Sequence, residues 1–129
     1  MDDDSILQFD WKIVEGRTIS AILGKRDIDL GLIEVAICLG DHAVSLRVNN
    51  DTDEIRAFYE PLPGPDSRRW KPIGEFEREV GKKLAWCWSG RNSQGYLDMF
   101  TISLSDIDPV IAFVAVASSL HFKRLTPCS

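Results

Sequence analysis

The sequence predicts an α+β fold: mostly an antiparallel β-sheet (a meander, either a curved sheet or a partly open barrel) with one short helix near residues 73–80. Apolar and polar side chains alternate along most of the chain, which places the apolar ones on one face of each strand. Short turns rich in Gly, Asn and Asp separate these segments, and such turns join antiparallel neighbours. Only the segment between Pro72 and Gly81 has helical spacing.

Four features of the first half predict strands and turns. Alternation predicts strands in the segments 7–13, 18–23, 33–39, 44–48 and 55–59. The charged segment 24–29 is predicted to be a loop. The clearest hairpin turns at Gly40-Asp41, between the strands 33–39 and 44–48. The prolines of segment 61–66 predict a loop, because proline interrupts both helix and strand.

The predicted helix has Ile73, Phe76 and Val80 on one face. Glu75, Glu77 and Glu79 lie opposite or beside that face, where we expect them to be solvated. Gly81 is placed to end the helix.

The last third again predicts strands. Segments 84–88 and 96–104 alternate on either side of a turn at residues 92–95. Segment 110–117 is rich in β-branched and aromatic residues and is interpreted as a strand buried on both faces. A helix beginning at Asp108-Pro109 is the alternative, since this pair also starts helices. Leu120 and Phe122 belong to a final strand after a bend at Ser118-Ser119.

Length and composition indicate one globular domain over residues 1–129. Hydrophobic residues make up 44% of the chain and charged residues 27%, which excludes a disordered or membrane-embedded chain. The 20 acidic and 15 basic residues give a net charge of −5. A nucleic-acid binder needs a surplus of Lys and Arg against the phosphates, so nucleic acid is excluded as a partner.

The start of the chain, Met1-Asp2-Asp3-Asp4, is acidic where a secretory signal would be basic and then apolar. The uncharged segment 109–122 is shorter than the roughly 20 residues that a membrane-spanning helix needs. We therefore expect a soluble cytoplasmic protein with no membrane partner.

The charge is unevenly distributed along the chain. Residues 1–66 carry 14 acidic and 6 basic side chains, whereas the segment 68–91 is basic. The acidic residues of the first half favour a basic protein partner, because hydrated loop carboxylates steer association. The carboxylates expected in loops are Asp27, Asp29, Asp41, Asp51, Asp53 and Glu54. The basic segment is interpreted as a solvated surface, with an anion- or acidic-partner-binding patch near Trp70 as the alternative.

No catalytic, metal or cofactor motif is present in the sequence. The spacing of Cys38, Cys87 and Cys128 does not fit a metal site, and only two histidines, His42 and His121, accompany them. No phosphate-cradling glycine loop or dinucleotide fingerprint occurs. Cys87 lies between two tryptophans on a predicted strand, where no helix N-terminus lowers its pKa. We expect no cofactor and no metal, and a non-enzymatic function is favoured.

One group of side chains is a candidate binding site. It comprises Trp86, Trp88, Arg91, Asn92, Tyr96 and Asp98. Strand alternation places Asp98 on the same apolar face as Phe100, where a carboxylate needs a donor such as Arg91 or an amide near Asn92. A structural role for Asp98 is favoured, and a polar group in a tryptophan-lined pocket is the alternative. The two tryptophans share a face with Leu84, which predicts that they lie in the core, although indole groups also occur at interfaces.

Two runs and an ending carry a family resemblance. The runs are Gly-Lys-Lys-Leu-Ala-Trp-Cys-Trp at 81–88 and Asn-Ser-Gln-Gly-Tyr-Leu-Asp at 92–98, and the ending is Ser118-Ser119-Leu120. Together they resemble a small bacterial family of domains of unknown function, over the last third of the chain. The resemblance implies a sheet-rich domain and adds no catalytic residue.

Two hypotheses for the function follow. The first is a non-catalytic protein-binding module; small acidic domains of this type include immunity proteins that neutralise toxins, and a homodimer is compatible with it. The alternative is a small-ligand-binding protein or an enzyme, with a pocket around Trp86, Trp88, Tyr96 and Asp98.

Overall fold

Nine strands and two 3₁₀ helices form the fold of the described residues. The computed structural model describes residues 5–49, 51–62, 69–105 and 109–125. The strands are β1 (Ala21–Asp27), β2 (Gly31–Cys38), β3 (His42–Asn49), β4 (Glu54–Pro61), β5 (Trp70–Pro72), β6 (Leu84–Arg91), β7 (Leu97–Leu104), β8 (Pro109–Val116) and β9 (Ser119–Arg124). The helices are Trp11–Ile13 and Gly74–Glu79.

The strands form two antiparallel sheets rather than one. The first sheet has the order β4-β3-β2-β1-β5 and the second has the order β6-β7-β8-β9. One buried cluster contains side chains of both sheets, including Val35 and Ile37 from β2 and Phe100 and Phe113 from β7 and β8. The predicted antiparallel pairing is confirmed. Neither sheet closes into a barrel among the described residues, and the helix content is too small for the α+β label to fit well.

The hairpin at Gly40-Asp41 is confirmed, with Val35 opposite Leu46 and Ile37 opposite Val44. Gly40 has a φ of 91°, a conformation that glycine adopts without the steric cost of a side chain. The strand prediction for segment 110–117 is also confirmed as β8, and the helical alternative is wrong. Only one face of β8 is fully buried, however, because no further layer packs on the other face within the described chain.

The predicted strand 7–13 is wrong. Leu7 makes one isolated parallel bridge with Ala57 of β4. The Asp10 carboxylate then accepts a hydrogen bond from the Lys12 N–H at 3.1 Å and caps the first 3₁₀ helix. Ile6 and Val14 on either side of this segment are fully buried. Capping by a local side chain therefore overrides the alternating pattern.

The predicted loop 24–29 is also wrong in its extent. β1 continues through Asp27 and leaves a turn at residues 28–30. An Asp27 carboxylate oxygen accepts hydrogen bonds from the N–H groups of Asp29 and Leu30, at 2.9 and 3.2 Å. These bonds lower the pKa of Asp27 from its ordinary value, together with the nearby Arg69 guanidinium.

The predicted helix is a six-residue 3₁₀ helix, Gly74–Glu79. Ile73 and Phe76 are buried as expected, and Gly81 follows the segment with a φ of 96°. The prediction that Val80 shares their face is wrong, because the helix ends at Glu79 and Val80 is 44% exposed in an extended conformation. The expectation that Glu79 is solvated is wrong, because its side chain is 1% exposed. Arg124 of β9 donates to its carboxylate, and Lys82 lies 3.8 Å away, so the buried charge is compensated.

Some sequence predictions lie outside the described residues. They concern most of the proline loop at 63–66, the segment 106–108, Arg68 and Cys128. Within the described ranges, no helix is long and apolar enough to cross a membrane.

Candidate functional site

A β-bulge in β6 turns both candidate tryptophans outward. Leu84 lies opposite Leu104, and Cys87 lies opposite Ile102. β6 thus advances three residues while β7 advances two, so β6 contains one extra residue. The extra residue reverses the alternation after Leu84. Trp86 is therefore 52% exposed and Trp88 38% exposed, and the prediction that both lie in the core is wrong.

Hydrogen bonds of Ser103 stabilise this bulge. The buried Ser103 hydroxyl accepts a hydrogen bond from the Trp86 N–H at 2.8 Å and lies 3.4 Å from the Trp86 carbonyl oxygen. These contacts satisfy backbone groups of the irregular segment. On the free edge of β6, the Trp11 indole N–H donates to the Ala85 carbonyl at 2.8 Å.

The outward tryptophans belong to a continuous apolar surface on the second sheet. Cross-strand register aligns Trp88, Thr101, Ala112 and Lys123 in one row across four strands. A second row aligns Gly90, Met99, Val114 and His121. Directly paired residues share a face of a sheet, so these rows lie side by side. We call this surface the tryptophan face, comprising Trp86, Trp88, Met99, Thr101, Ala112, Val114 and Val116.

Large apolar side chains of the tryptophan face are open to solvent. Met99 is 42% and Val116 49% exposed, and the ring centres of Trp86 and Trp88 are 6.4 Å apart. A Cβ at Gly90 would lie 3.2 Å from the Met99 Cβ, so the absence of a side chain at Gly90 gives Met99 its position. The sequence analysis missed Met99 and Val116, because alternation alone does not show which face of a sheet is left uncovered.

The other four candidate residues form a turn at the end of β6 and β7. The Asn92 side-chain oxygen accepts hydrogen bonds from the Gln94 and Tyr96 N–H groups, at 2.8 and 3.1 Å. The Asn92 amide donates to the Asp98 carboxylate at 3.1 Å. Arg91 donates to the Gly95 carbonyl at 2.7 Å. These bonds hold the turn between the strands, as the structural interpretation of Asp98 expects.

A second bulge explains why Asp98 is only half-buried. Gly90 lies opposite Met99 and Arg91 lies opposite Leu97, so Asp98 is the extra residue of β7. Leu97 and Phe100 are the buried neighbours instead. The strand-parity argument for Asp98 is therefore wrong, although the expected donor near Asn92 is present.

The described cavities do not coincide with the candidate group. Trp86 lines two cavities, of about 380 and 400 Å³, beside Glu15. Arg91, Asn92, Tyr96 and Asp98 line neither of these two cavities. A cavity of about 320 Å³ lies elsewhere, beside Arg26 of β1, a residue that the sequence analysis did not select.

The arrangement offers little for catalysis. Burial and the nearby Glu15 carboxylate raise the pKa of Cys87 to about 11, which keeps it a thiol at neutral pH. The Ser119 hydroxyl lies 3.2 Å from His121 Nε2, but it also donates to the Val116 carbonyl at 2.9 Å, and no described carboxylate bonds to the His121 ring. Within the described ranges no group of three or more His, Cys, Asp or Glu side chains is arranged to hold a metal.

Several loop carboxylates proposed for a basic partner make internal bonds. Glu54 accepts from the Leu97 N–H at 2.9 Å, and Asp53 accepts from the Ser118 N–H at 2.7 Å. Asp41 lies 3.1 Å from His42 Nδ1. These carboxylates keep their charge, so the prediction of a basic partner is not tested by these bonds.

Comparison with curated proteins and with solved structures gives no match. The model of one protein family, a family of unknown function, matches residues 1–129.

Proposed function

The chain belongs to DUF6334, a family of unknown function whose model spans the whole sequence and not only the last third, and we propose that it is a non-catalytic protein-binding module. The tryptophan face is the docking surface. A bacterial origin, a cytoplasmic location and an immunity-type role are parts of this proposal.

The observation that carries the proposal is the exposure of Trp86 and Trp88 beside Met99. Large aromatic and Met side chains are enriched at the centres of protein interfaces, and tryptophan is among the residues that contribute most to binding. A cluster of exposed apolar groups on a regular sheet also provides a rigid surface, which limits the conformational entropy lost on binding. A soluble protein rarely leaves such a cluster uncovered without a use for it.

The charges within the two register rows favour a partner other than a second copy, with Glu15 beside Trp86 as the acidic group at the edge of the face. Its two register rows end at Lys123 and His121 on β9 and contain no carboxylate. If two copies met through this face, the register rows of each copy would offer no carboxylate to Lys123 of the other. A different protein that presents an apolar strip bordered by carboxylates satisfies both the tryptophans and Lys123. The homodimer and the basic partner remain predictions, and the binding experiment below distinguishes them from a carboxylate-bordered partner.

The alternative of a ligand-binding pocket has weaker support. Tyr96 is 45% exposed, and Asp98 bonds to Asn92 within the turn rather than facing a cavity. An exposed tryptophan pair suits a flat partner surface better than a small molecule, which needs concave burial.

The test compares partner binding by two matched double variants. Trp86→Ser with Trp88→Ser removes the centre of the tryptophan face. Ile28→Ser with Leu30→Ser removes exposed apolar groups of the β1–β2 turn, where Ile28 is 99% and Leu30 44% exposed. We expect a partner recovered from native extract, then purified, to bind the turn variant like wild type and the tryptophan variant about tenfold or more weakly.

A photo-crosslinker at Thr101 should then join the two proteins, whereas one at the exposed Glu77 should not. Lys123→Glu should weaken binding to a carboxylate-bordered partner and strengthen binding to a basic one. Equal binding by both double variants would contradict the proposal. A wild-type dimer in sedimentation that the tryptophan variant dissociates would assign the face to a second copy instead.

A further inference from the structure

The two sheets differ in width, and the second sheet does not extend over one margin of the wider sheet in the described part of the chain. β9, the edge of the second sheet, packs on β2 and β3 of the first. The first sheet continues beyond β2 to β1 and β5, and there β1 contacts the 3₁₀ helix Gly74–Glu79 instead. A cavity of about 320 Å³ lies at this margin, within the size range of small-ligand sites.

Three cationic side chains line this cavity. Arg26 lies in β1, Lys71 lies in β5, and Arg69 immediately precedes β5. The register places Lys71 opposite Gly24, two residues before Arg26. The Arg69 guanidinium donates to the Arg26 backbone carbonyl at 3.2 Å, which holds the Arg69 side chain against β1 beside Arg26. We call Arg26, Arg69 and Lys71 the cationic triad.

The triad is not neutralised by the described part of the chain. Only Asp27 lies within ion-pair distance, with its carboxylate 3.7 Å from Arg69. Its Oδ1 accepts two hydrogen bonds from the β1–β2 turn while its Oδ2 faces Arg69, so Asp27 offsets one of the three positive charges. Arg26 and Lys71 form no ion pair with any described carboxylate, which leaves an excess of positive charge in a concave site although the whole chain carries a net charge of −5.

The remaining wall of the cavity is apolar. Pro72 and Ile73 line it together with the backbone of Gly24. A Cβ at Gly24 would lie 2.8 Å from a Leu32 methyl and 3.0 Å from an Ile73 methyl, so side chains of the core close tightly over this glycine. A cationic rim beside a small apolar wall suits a ligand with an anionic head and a short carbon body.

We infer that the cationic triad binds a small phosphate monoester. The two guanidinium groups match the planar, bidentate geometry that phosphate oxygens accept, and the Lys71 ammonium adds a point charge. The exposed Pro72 ring contacts the carbon body of the ester, and the buried Ile73 packs behind it. This site is separate from the tryptophan face and independent of the proposed docking function.

Titration of the ¹⁵N-labelled full chain tests the inference with two probes, inorganic phosphate and phenyl phosphate. We expect saturable amide shifts centred on Gly24, Lys71 and Ile73, with tighter binding of phenyl phosphate because of the apolar wall. Arg26→Gln with Lys71→Gln should weaken phenyl phosphate binding about tenfold or more. Lys12→Gln with Lys83→Gln, an equal change in charge at exposed residues elsewhere, should not change it.

The NMR spectrum of each variant shows whether that variant folds. If the double variant does not fold, Lys71→Glu in the exposed edge strand provides a second test. The inference is overturned if neither probe gives saturable shifts at millimolar concentration, or if the control weakens binding equally. Tighter binding of inorganic phosphate than of phenyl phosphate would assign the site to the free ion. Binding of an acidic peptide without binding of either probe would assign it to a protein instead.

Discussion

Glu79 and Arg124 connect the end of the 3₁₀ helix to the last strand. The Glu79 carboxylate is buried, and the Arg124 guanidinium donates both to it and, at 2.6 Å, to the Glu75 carbonyl. Arg124 thus binds the helix at two points and neutralises a charge that burial would otherwise make costly.

We predict that Arg124→Leu destabilises the protein by about 3 kcal/mol, because it leaves a buried carboxylate with only Lys82 nearby. Urea unfolding followed by tryptophan fluorescence measures the change. Glu77→Gln is the control, since Glu77 lies exposed on the same helix and should change stability by less than about 0.5 kcal/mol. Equal effects of the two variants would show that the buried pair contributes nothing specific.

Glu54 joins the two sheets and should make stability depend on pH. Its carboxylate accepts from the Leu97 N–H and pairs with Arg56 at 3.3 Å, and chiefly the Leu97 bond lowers its pKa below the ordinary 4.5. A lowered pKa in the folded state means that the stabilisation is complete above the unfolded-state pKa. It is lost as the pH falls through the lower folded-state pKa.

We therefore predict that Glu54→Gln costs about 1 kcal/mol at pH 7 and that this difference disappears in strong acid. Urea unfolding of wild type and variant across this pH range measures it. Asp51→Asn, an exposed neighbour in the preceding turn, should show no such dependence. If the loss of unfolding free energy caused by Glu54→Gln stayed constant with pH, the shape of the Glu54 side chain rather than its charge would be responsible.

Cys87 should react slowly with alkylating reagents. With a pKa of about 11, it holds far less thiolate at pH 8 than an ordinary thiol, although the thiolate that forms is more nucleophilic. We predict that iodoacetamide modifies Cys87 at least about tenfold more slowly than it modifies glutathione. Peptide mass spectrometry monitors the reaction and distinguishes Cys87 from the other cysteines. Glu15→Gln should increase the rate, because it removes the charge that helps to raise the pKa. A rate equal to that of glutathione would contradict the buried thiol.

The sequence predicted most strands because alternation is a local property. The hairpin around Gly40-Asp41 and the final strand β9 follow from it directly. The failures at Trp86, Trp88 and Asp98 have a common cause, which is that bulges depend on contacts distant in sequence, whereas the predicted strand 7–13 failed because Asp10 caps a local 3₁₀ helix. The bulge before Cys87 is stabilised by Ser103, seventeen residues beyond Trp86, and no pattern within β6 reveals it. In the cationic triad, Arg69 and Lys71 flank Trp70 in the basic segment for which the sequence offered an anion-binding patch as the alternative, whereas Arg26 is far from them in the chain and could not be predicted.

The exposure of the tryptophans gives a direct test of the β6 bulge. Trp88→Ser removes a side chain from the tryptophan face and should cost less than about 2 kcal/mol, because Trp88 is 38% exposed and lies outside the buried core cluster. Leu84→Ala, on the other side of the bulge, removes a fully buried side chain and should cost about 2–5 kcal/mol. Urea unfolding monitored by far-ultraviolet circular dichroism compares them without relying on tryptophan emission. If strand alternation continued unbroken from Leu84 to Trp88, both substitutions would empty the core and cost similar amounts, and the tryptophan face would not exist.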